Sequence, residues 1–177
     1  MNATRKREGG LRRRSRSETV LLFAVAYQKF AVAAASVQEI RSTDSLAGNA
    51  VEIDQPVLSK VRHILEHGGH TFYVVNAGAH FGLPVSRPSL LLILRESRVA
   101  VLIDSIERMT EIPAPYPLPL AFAGAERRWY RGLAYWDDMV IPVLQPGGFL
   151  TAQEFEQLER AAKSTASQHD LQGVGPA

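Results

Sequence analysis

The sequence predicts a mostly β fold, a barrel or sandwich of short strands followed by one C-terminal α-helix. Three observations support this fold class. Short apolar segments recur along the chain and are separated by tight polar turns. Apolar residues at helical spacing follow a helix-capping sequence at one place, after Thr151. The sequence shows neither strand–helix–strand alternation nor a glycine-rich phosphate motif before a helix, which disfavours a nucleotide-binding α/β fold.

The first half of the chain alternates strand-like and polar segments. Residues 34–40 have weak β character and predict a helical turn that leads into the next strand. Residues 42–55 are polar and predict a loop. Gly68-Gly69 introduce the last strand of this half. The predicted strands are 20–26, 30–33 and 70–75.

The second half predicts further hairpins and then the helix. The first hairpin turns at residues 95–98, and the last turns at Asp137-Asp138. Four prolines between 113 and 119 predict an irregular connection. Thr151 and Glu154 form a capping box, and an apolar stripe follows at helical spacing through Ala162. The predicted strands are Leu90–Leu94, Val99–Ile103, 106–112, 129–135 and Met139–Leu144.

Composition excludes several kinds of chemistry. Of 177 residues, 46% are hydrophobic and 21% are charged, as in globular proteins, and none is cysteine. Disulfides, zinc–thiolate sites and thiol nucleophiles are therefore excluded. No apolar run approaches the ~20 residues of a membrane-spanning helix.

Positive charge is concentrated at the N-terminal end. Seven of the 20 lysines and arginines fall within the first sixteen residues, opposed there by Glu8 alone, so the remainder is mildly acidic. The sequence predicts a disordered basic tail at 1–17, one domain at 18–163 and a flexible tail at 164–177. A signal peptide is the alternative for the front end, but Glu18, Gln28 and Lys29 interrupt or border its apolar run.

No grouping of residues predicts catalysis or a cofactor. His63, Glu66 and His67 fit the H-x-x-E-H spacing of zinc peptidases, but that site needs a helix, which Gly68-Gly69 would end at once. The adjacent acids Asp137 and Asp138 are typical of a turn. We therefore predict a protein without catalytic residues, bound metal or cofactor.

Several sequence pieces occur in a fixed order over residues 19–158. They are the apolar pair 20–26 and 30–33, Val37-Gln38-Glu39-Ile40, Phe81-Gly82-Leu83-Pro84, Tyr130-Arg131-Gly132-Leu133-Ala134 and the closing strand Met139–Leu144. In this order the chain resembles the CheW-like family, the adaptor domains that couple bacterial chemoreceptors to a histidine kinase. The resemblance implies two packed five-stranded SH3-like barrels, a non-catalytic scaffold role in chemosensory signalling and a cytoplasmic location at membrane-associated receptor arrays.

The resemblance also implies where partners bind. The expected partners are the regulatory domain of a CheA-type histidine kinase and a methyl-accepting chemoreceptor. In the receptor-coupling loop, Glu66-His67-Gly68 stands where the family has N-L-R, so the arginine used for receptor coupling is missing. The implied contact residues are Val37, Glu39, Ile40, Arg41, Glu66, Gly68 and Gly69.

A nucleic-acid-binding β-barrel is the alternative function. Four aromatic residues cluster with three arginines in one segment, a combination that suits base stacking and phosphate attraction. They are Trp129, Tyr130, Tyr135 and Trp136, with Arg127, Arg128 and Arg131. The basic tail would add affinity that weakens with salt. The same hairpin also fits a protein interface or a strand that faces the core.

Overall fold

The computed structural model describes residues 17–53 and 57–172. Eleven strands and two α-helices lie in this part of the chain. The strands are β1 Ser17–Val25, β2 Gln28–Ala33, β3 Val37–Ser42, β4 Ala50–Glu52, β5 Val61–His67, β6 His70–Asn76, β7 Leu90–Leu94, β8 Val99–Ile103, β9 Ser105–Pro113, β10 Tyr130–Trp136 and β11 Met139–Leu144. The helices are α1 Ala77–Phe81 and α2 Ala152–Gln172.

The first sheet has five strands in the order β10-β11-β2-β1-β9. Its outer strands approach each other because Tyr116, just beyond β9, pairs with Leu133 of β10 through two backbone hydrogen bonds of 2.8 and 2.9 Å. This bridge closes the sheet into a barrel. Gly132 permits the close approach, since a Cβ there would lie 2.4 Å from the Tyr116 carbonyl oxygen.

The second sheet has six strands in the order β3-β7-β8-β6-β5-β4. The short β4 pairs with β5 from within the segment predicted to be a loop at 42–55, which also contains a 3₁₀ turn at Thr43–Leu46. Neither element is predicted by local sequence, because three residues are too few to show β periodicity. The predicted helical turn before β3 is a 3₁₀ turn, Ala34–Ser36.

One apolar core joins the two sheets. It includes Leu21 and Phe23 of β1, Leu92 of β7 and Val101 of β8, with Leu158 of α2 packed into the same cluster. Each sheet also has an apolar interior of its own. The strand β7 contributes to both layers, because alternate residues of a strand face opposite sides. Its burial on two faces explains why it is a continuous apolar run.

The structure confirms the predicted mostly β fold of two packed β units with a helix after them. The helix α2 begins with the predicted capping box: Thr151 Oγ1 accepts from the Glu154 amide at 3.2 Å, and Glu154 accepts from the Thr151 amide at 2.7 Å. It continues to Gln172, beyond the predicted boundary at 163. Ser17, predicted to end the tail, begins β1, and the rest of the predicted basic tail lies outside the described residues.

Candidate partner-binding surface

The two segments implied to contact partners meet at one place on the six-stranded barrel. Glu39 of β3 contacts the imidazole of His67, the last residue of β5, with Oε2 2.8 Å from Nε2. Arg41 of β3 approaches the other side of the same ring, with Nη1 3.2 Å from Nδ1. The strands β3 and β5 lie near opposite edges of the sheet, so these contacts link the edges as the sheet curls.

The imidazole of His67 lies between groups of opposite charge. A guanidinium can only donate and a carboxylate can only accept, so the contacts are matched when Nδ1 accepts from Arg41 and Nε2 donates to Glu39. The network therefore places one positive and one negative group on the two sides of the ring. Arg41 Nε also lies 3.6 Å from Glu39 Oε1.

The turn after His67 is formed by glycines with left-handed backbone. Gly68 and Gly69 have φ of 59° and 76°, which a two-residue hairpin turn of this kind requires. Both are exposed, and space is open where their Cβ atoms would lie. Glu66 is held beside the turn because its Oε1 accepts from the Thr71 hydroxyl at 2.6 Å. The turn thus presents backbone and one oriented carboxylate to solvent.

The remaining implied contact residues lie on different faces of β3. Ile40 is exposed, with 42% of its surface accessible, and lies on the opposite face of the strand from Glu39 and Arg41. Val37 is half-buried and packs against the core between the barrels. Val37 therefore has a packing role here, and its contact role stays a prediction.

A groove lies beside this surface, between the barrels and α2. Its volume is about 530 Å³, and Gln38 of β3 and His70 of β6 line one side. Arg98 lines it too, paired with Glu159 and 5.3 Å above the ring of Tyr73. Burial raises the pKa of Tyr73, although Arg98 opposes this. The groove combines apolar side chains such as Leu150 and Phe155 with one arginine that already has a partner.

Sequence reasoning did not include His67 among the contact residues. Its partners lie 26 and 28 positions earlier in the chain, and no local periodicity relates residues across that distance. The available signal was its place in the loop, immediately before two glycines. The structure makes it the residue that connects Glu39 to Arg41.

The other candidates from the sequence, the histidine pair and the acidic pair, lie on a strand and in a turn of the fold. His63 and His67 lie four residues apart on a strand, about 13 Å along it, and cannot share one metal ion as they would on a helix. Among the side chains that the structure describes, those of residues 17–53 and 57–163, no group of three or more metal-ligating residues is gathered. Asp137 and Asp138 form the β10–β11 turn, with φ of 49° and 58°.

The hairpin proposed for nucleic-acid stacking uses most of its aromatic rings for packing. Trp129 lies against the rings of His80 and Phe81, and Trp136 packs on the interior of the five-stranded barrel. Arg131 is paired with Glu18. Of the four aromatic residues, Tyr135 alone is classed as exposed, so the structure offers no row of stacking platforms here.

These features define a class of protein: a double β-barrel that presents a charged surface at β3 and at the glycine turn. The described residues contain no helix that is long and apolar enough to cross a membrane. The model of the CheW-like domain matches residues 19–154, and the chain belongs to this family. Membership of this family confirms the predicted role as a non-catalytic adaptor in chemotaxis.

Comparison with solved structures supports the fold. The scaffolding protein TtCheW from Thermoanaerobacter tengcongensis is similar to this chain with a TM-score of 0.64 and 15% sequence identity. The similarity covers 80% of this chain and 92% of that one. No curated protein matches the sequence. At this identity the likeness concerns the fold.

Proposed function

We propose that this protein is a cytoplasmic adaptor that binds the regulatory domain of a CheA-type histidine kinase in a chemosensory array. The observation that supports this is the Glu39–His67–Arg41 network. It joins the β3 segment and the glycine turn into one charged surface on a non-catalytic scaffold. The contact residues we propose are Glu39 and Arg41 on one face of β3, Ile40 on its other face, Glu66, Gly68 and Gly69 at the turn, and Val37, which packs against the core.

The position of Arg41 also supports a proposal about how the protein binds a chemoreceptor. The family arginine is missing from the loop, but the Arg41 guanidinium lies 3.2 Å from His67 of that loop. We infer that Arg41 supplies the positive charge for receptor docking from β3. Replacing Arg41 with lysine would keep the charge and lose the planar fork of donors, so receptor binding should weaken while the fold is kept.

A charge-swap experiment tests kinase binding. The double variant Glu39→Arg/Arg41→Glu keeps opposite charges on the two sides of His67 and inverts the pattern shown to a partner. We expect about a tenfold or greater loss of affinity for the kinase regulatory domain in titration calorimetry, because mispaired charges at an interface are costly. The unfolding midpoint should stay close to that of the wild type.

The matched control is Lys29→Glu/Glu107→Lys. This pair is 2.9 Å apart on the five-stranded barrel and is comparably exposed. Its swap should leave kinase affinity unchanged. Equal affinity of wild type and Glu39→Arg/Arg41→Glu would contradict the proposed surface, and failure of the wild type to bind any kinase regulatory domain from the same organism would contradict the proposed function.

A further inference from the structure

The outer face of the last hairpin is an apolar surface without a described partner. Leu133 and Tyr135 of β10 pair across the strands with Pro142 and Val140 of β11, so the four side chains share one side of the sheet. Tyr116 lies next to Leu133 through its backbone bridge. Tyr116, Tyr135 and Val140 are 66%, 57% and 62% exposed. Contiguous exposed apolar groups of this kind mark a binding surface.

Carboxylates border this outer hairpin face. Asp138 accepts a hydrogen bond of 3.2 Å from the Tyr135 hydroxyl, and Asp137 is exposed beside it. Neither forms an ion pair with any residue that the structure describes. Arg108 lies nearby over the ring of Trp136 but pairs with neither aspartate. The face therefore offers tyrosine rings together with unneutralised acids, which suits arginine side chains.

We propose that the chain's own basic segment, residues 5–16, lies across this outer hairpin face. That segment has seven lysines and arginines and one glutamate. It enters the fold at Ser17, which pairs with Pro113, three residues before Tyr116. Its arginines stack on Tyr116 and Tyr135 and pair with Asp137 and Asp138.

The length of the basic segment and the charges around the outer hairpin face both permit this contact. Twelve extended residues span at most about 40 Å, whereas Leu133 to Asp137 covers only about 13 Å of strand. Arg131, two residues before Leu133 on β10, is neutralised by its ion pair with Glu18. Tethering raises the effective concentration of the segment to about the millimolar range, so weak individual contacts are sufficient. The segment covers the five-stranded barrel and leaves the proposed kinase surface on the other barrel free.

Paramagnetic relaxation measurements on the full chain test the proposal. The protein has no cysteine, so Gly9→Cys gives a single site for a nitroxide label. At about 50 mM salt we expect broadening of the amide signals of β10 and β11, centred on Tyr135 and Val140. At about 500 mM salt the broadening should weaken strongly, because exposed charges are screened over a few ångströms.

Variants of the outer hairpin face distinguish this contact from a non-specific attraction between the basic segment and any acidic residue. Asp137→Asn/Asp138→Asn keeps residues that tolerate left-handed backbone, so the turn is preserved while the charge is removed. We expect the broadening to fall at least severalfold. Asp44→Asn/Glu52→Gln removes two exposed acids from the other barrel and should leave the broadening unchanged.

Four results would overturn the proposal: no broadening of the hairpin at low salt, broadening centred on another surface, equal broadening in both double variants, or broadening between separate chains. Mixing spin-labelled chains with isotope-labelled chains that lack the label should give no broadening. Broadening in that mixture would show that the tail of a second copy occupies the face. Kinase binding is not part of this measurement, so its result is independent of the proposed function.

Discussion

At the scale of single residues, His80 is the one buried polar residue among the described side chains. It is 7% exposed, and its ring lies among those of Phe81, Trp129 and Phe149. Lys60 Nζ lies 3.4 Å from its Nδ1, and the other ring nitrogen is buried without a described partner. Burial, with a contribution from Lys60, lowers the pKa of His80 from 6.5 to about 3, and Glu154 only partly opposes this.

This lowered pKa predicts a loss of stability in acid. Between pH 6.5 and about 3 the unfolded chain binds a proton at His80 that the folded chain does not. The free energy of unfolding therefore falls as the pH falls through this range, by up to about 1.4 kcal/mol per pH unit from this residue. Denaturant unfolding at several pH values between 7 and 4 measures the slope.

His80→Phe isolates the contribution of this residue. Phenylalanine keeps an aromatic ring in the cluster and cannot be protonated, so its slope should be smaller than that of the wild type. Titration of the carboxylates contributes to the slopes of both the wild type and His80→Phe, so this contribution cancels when one slope is subtracted from the other. His70→Gln, at an exposed position, should keep the wild-type slope. Parallel slopes for wild type and His80→Phe would show that His80 does not determine acid stability.

At the scale of elements, the β1–β2 turn is strained. Ala26 and Tyr27 have φ of 48° and 68°, left-handed values that cost side-chain-bearing residues on the order of 1 kcal/mol each. Asp104 holds the turn, because its Oδ2 accepts from the Ala26 amide at 2.7 Å while its Oδ1 accepts from the Ser86 hydroxyl at 2.7 Å. Tyr27 itself is 98% exposed and contributes little packing.

Replacing this turn with asparagine and glycine should stabilise the protein. Ala26→Asn/Tyr27→Gly matches the residues that prefer such a turn, and the hydrogen bond to Asp104 is made by the backbone and is kept. We expect the free energy of unfolding to rise by about 1 kcal/mol, measured by denaturant titration. Asp137→Gly at the β10–β11 turn is the control and should give a smaller gain, since aspartate already tolerates this backbone. A loss of stability in the first variant would contradict the strain argument.

The strands and helices also show which parts of the fold can be predicted from local sequence. The strands β7 and β8 were predicted with the correct bounds, because burial on both faces leaves an unbroken apolar run. The helix α1 was not predicted, because it has five residues and depends on the Asn76 side chain, which accepts from the Ala79 amide at 3.0 Å. The contact segments followed from the family resemblance, whereas the role of His67 depends on contacts across the barrel that no local pattern encodes.

At the scale of the whole molecule, the two barrels share one core and should not unfold separately. Phe23 of the five-stranded sheet and Leu92 of the six-stranded sheet lie in the same buried cluster, and each is 1% exposed. The aromatic ring of Phe81 stacks on that of Phe30 at 4.6 Å and connects α1 to the other barrel. An interface that is a core, rather than a polar contact, couples the stabilities of both halves.

Leu92→Ala tests this coupling. Removing a buried leucine leaves a cavity and should lower the free energy of unfolding by about 3–5 kcal/mol. Because the core is shared, amide hydrogen exchange should accelerate by the same factor in β1 and β11 of one barrel as in β7 and β8 of the other. Ile141→Ala is the complementary variant, because Ile141 lies in the interior of the five-stranded barrel alone. It should also accelerate exchange in both barrels. Loss of protection confined to the mutated barrel in either variant would mean that the barrels are separate folding units.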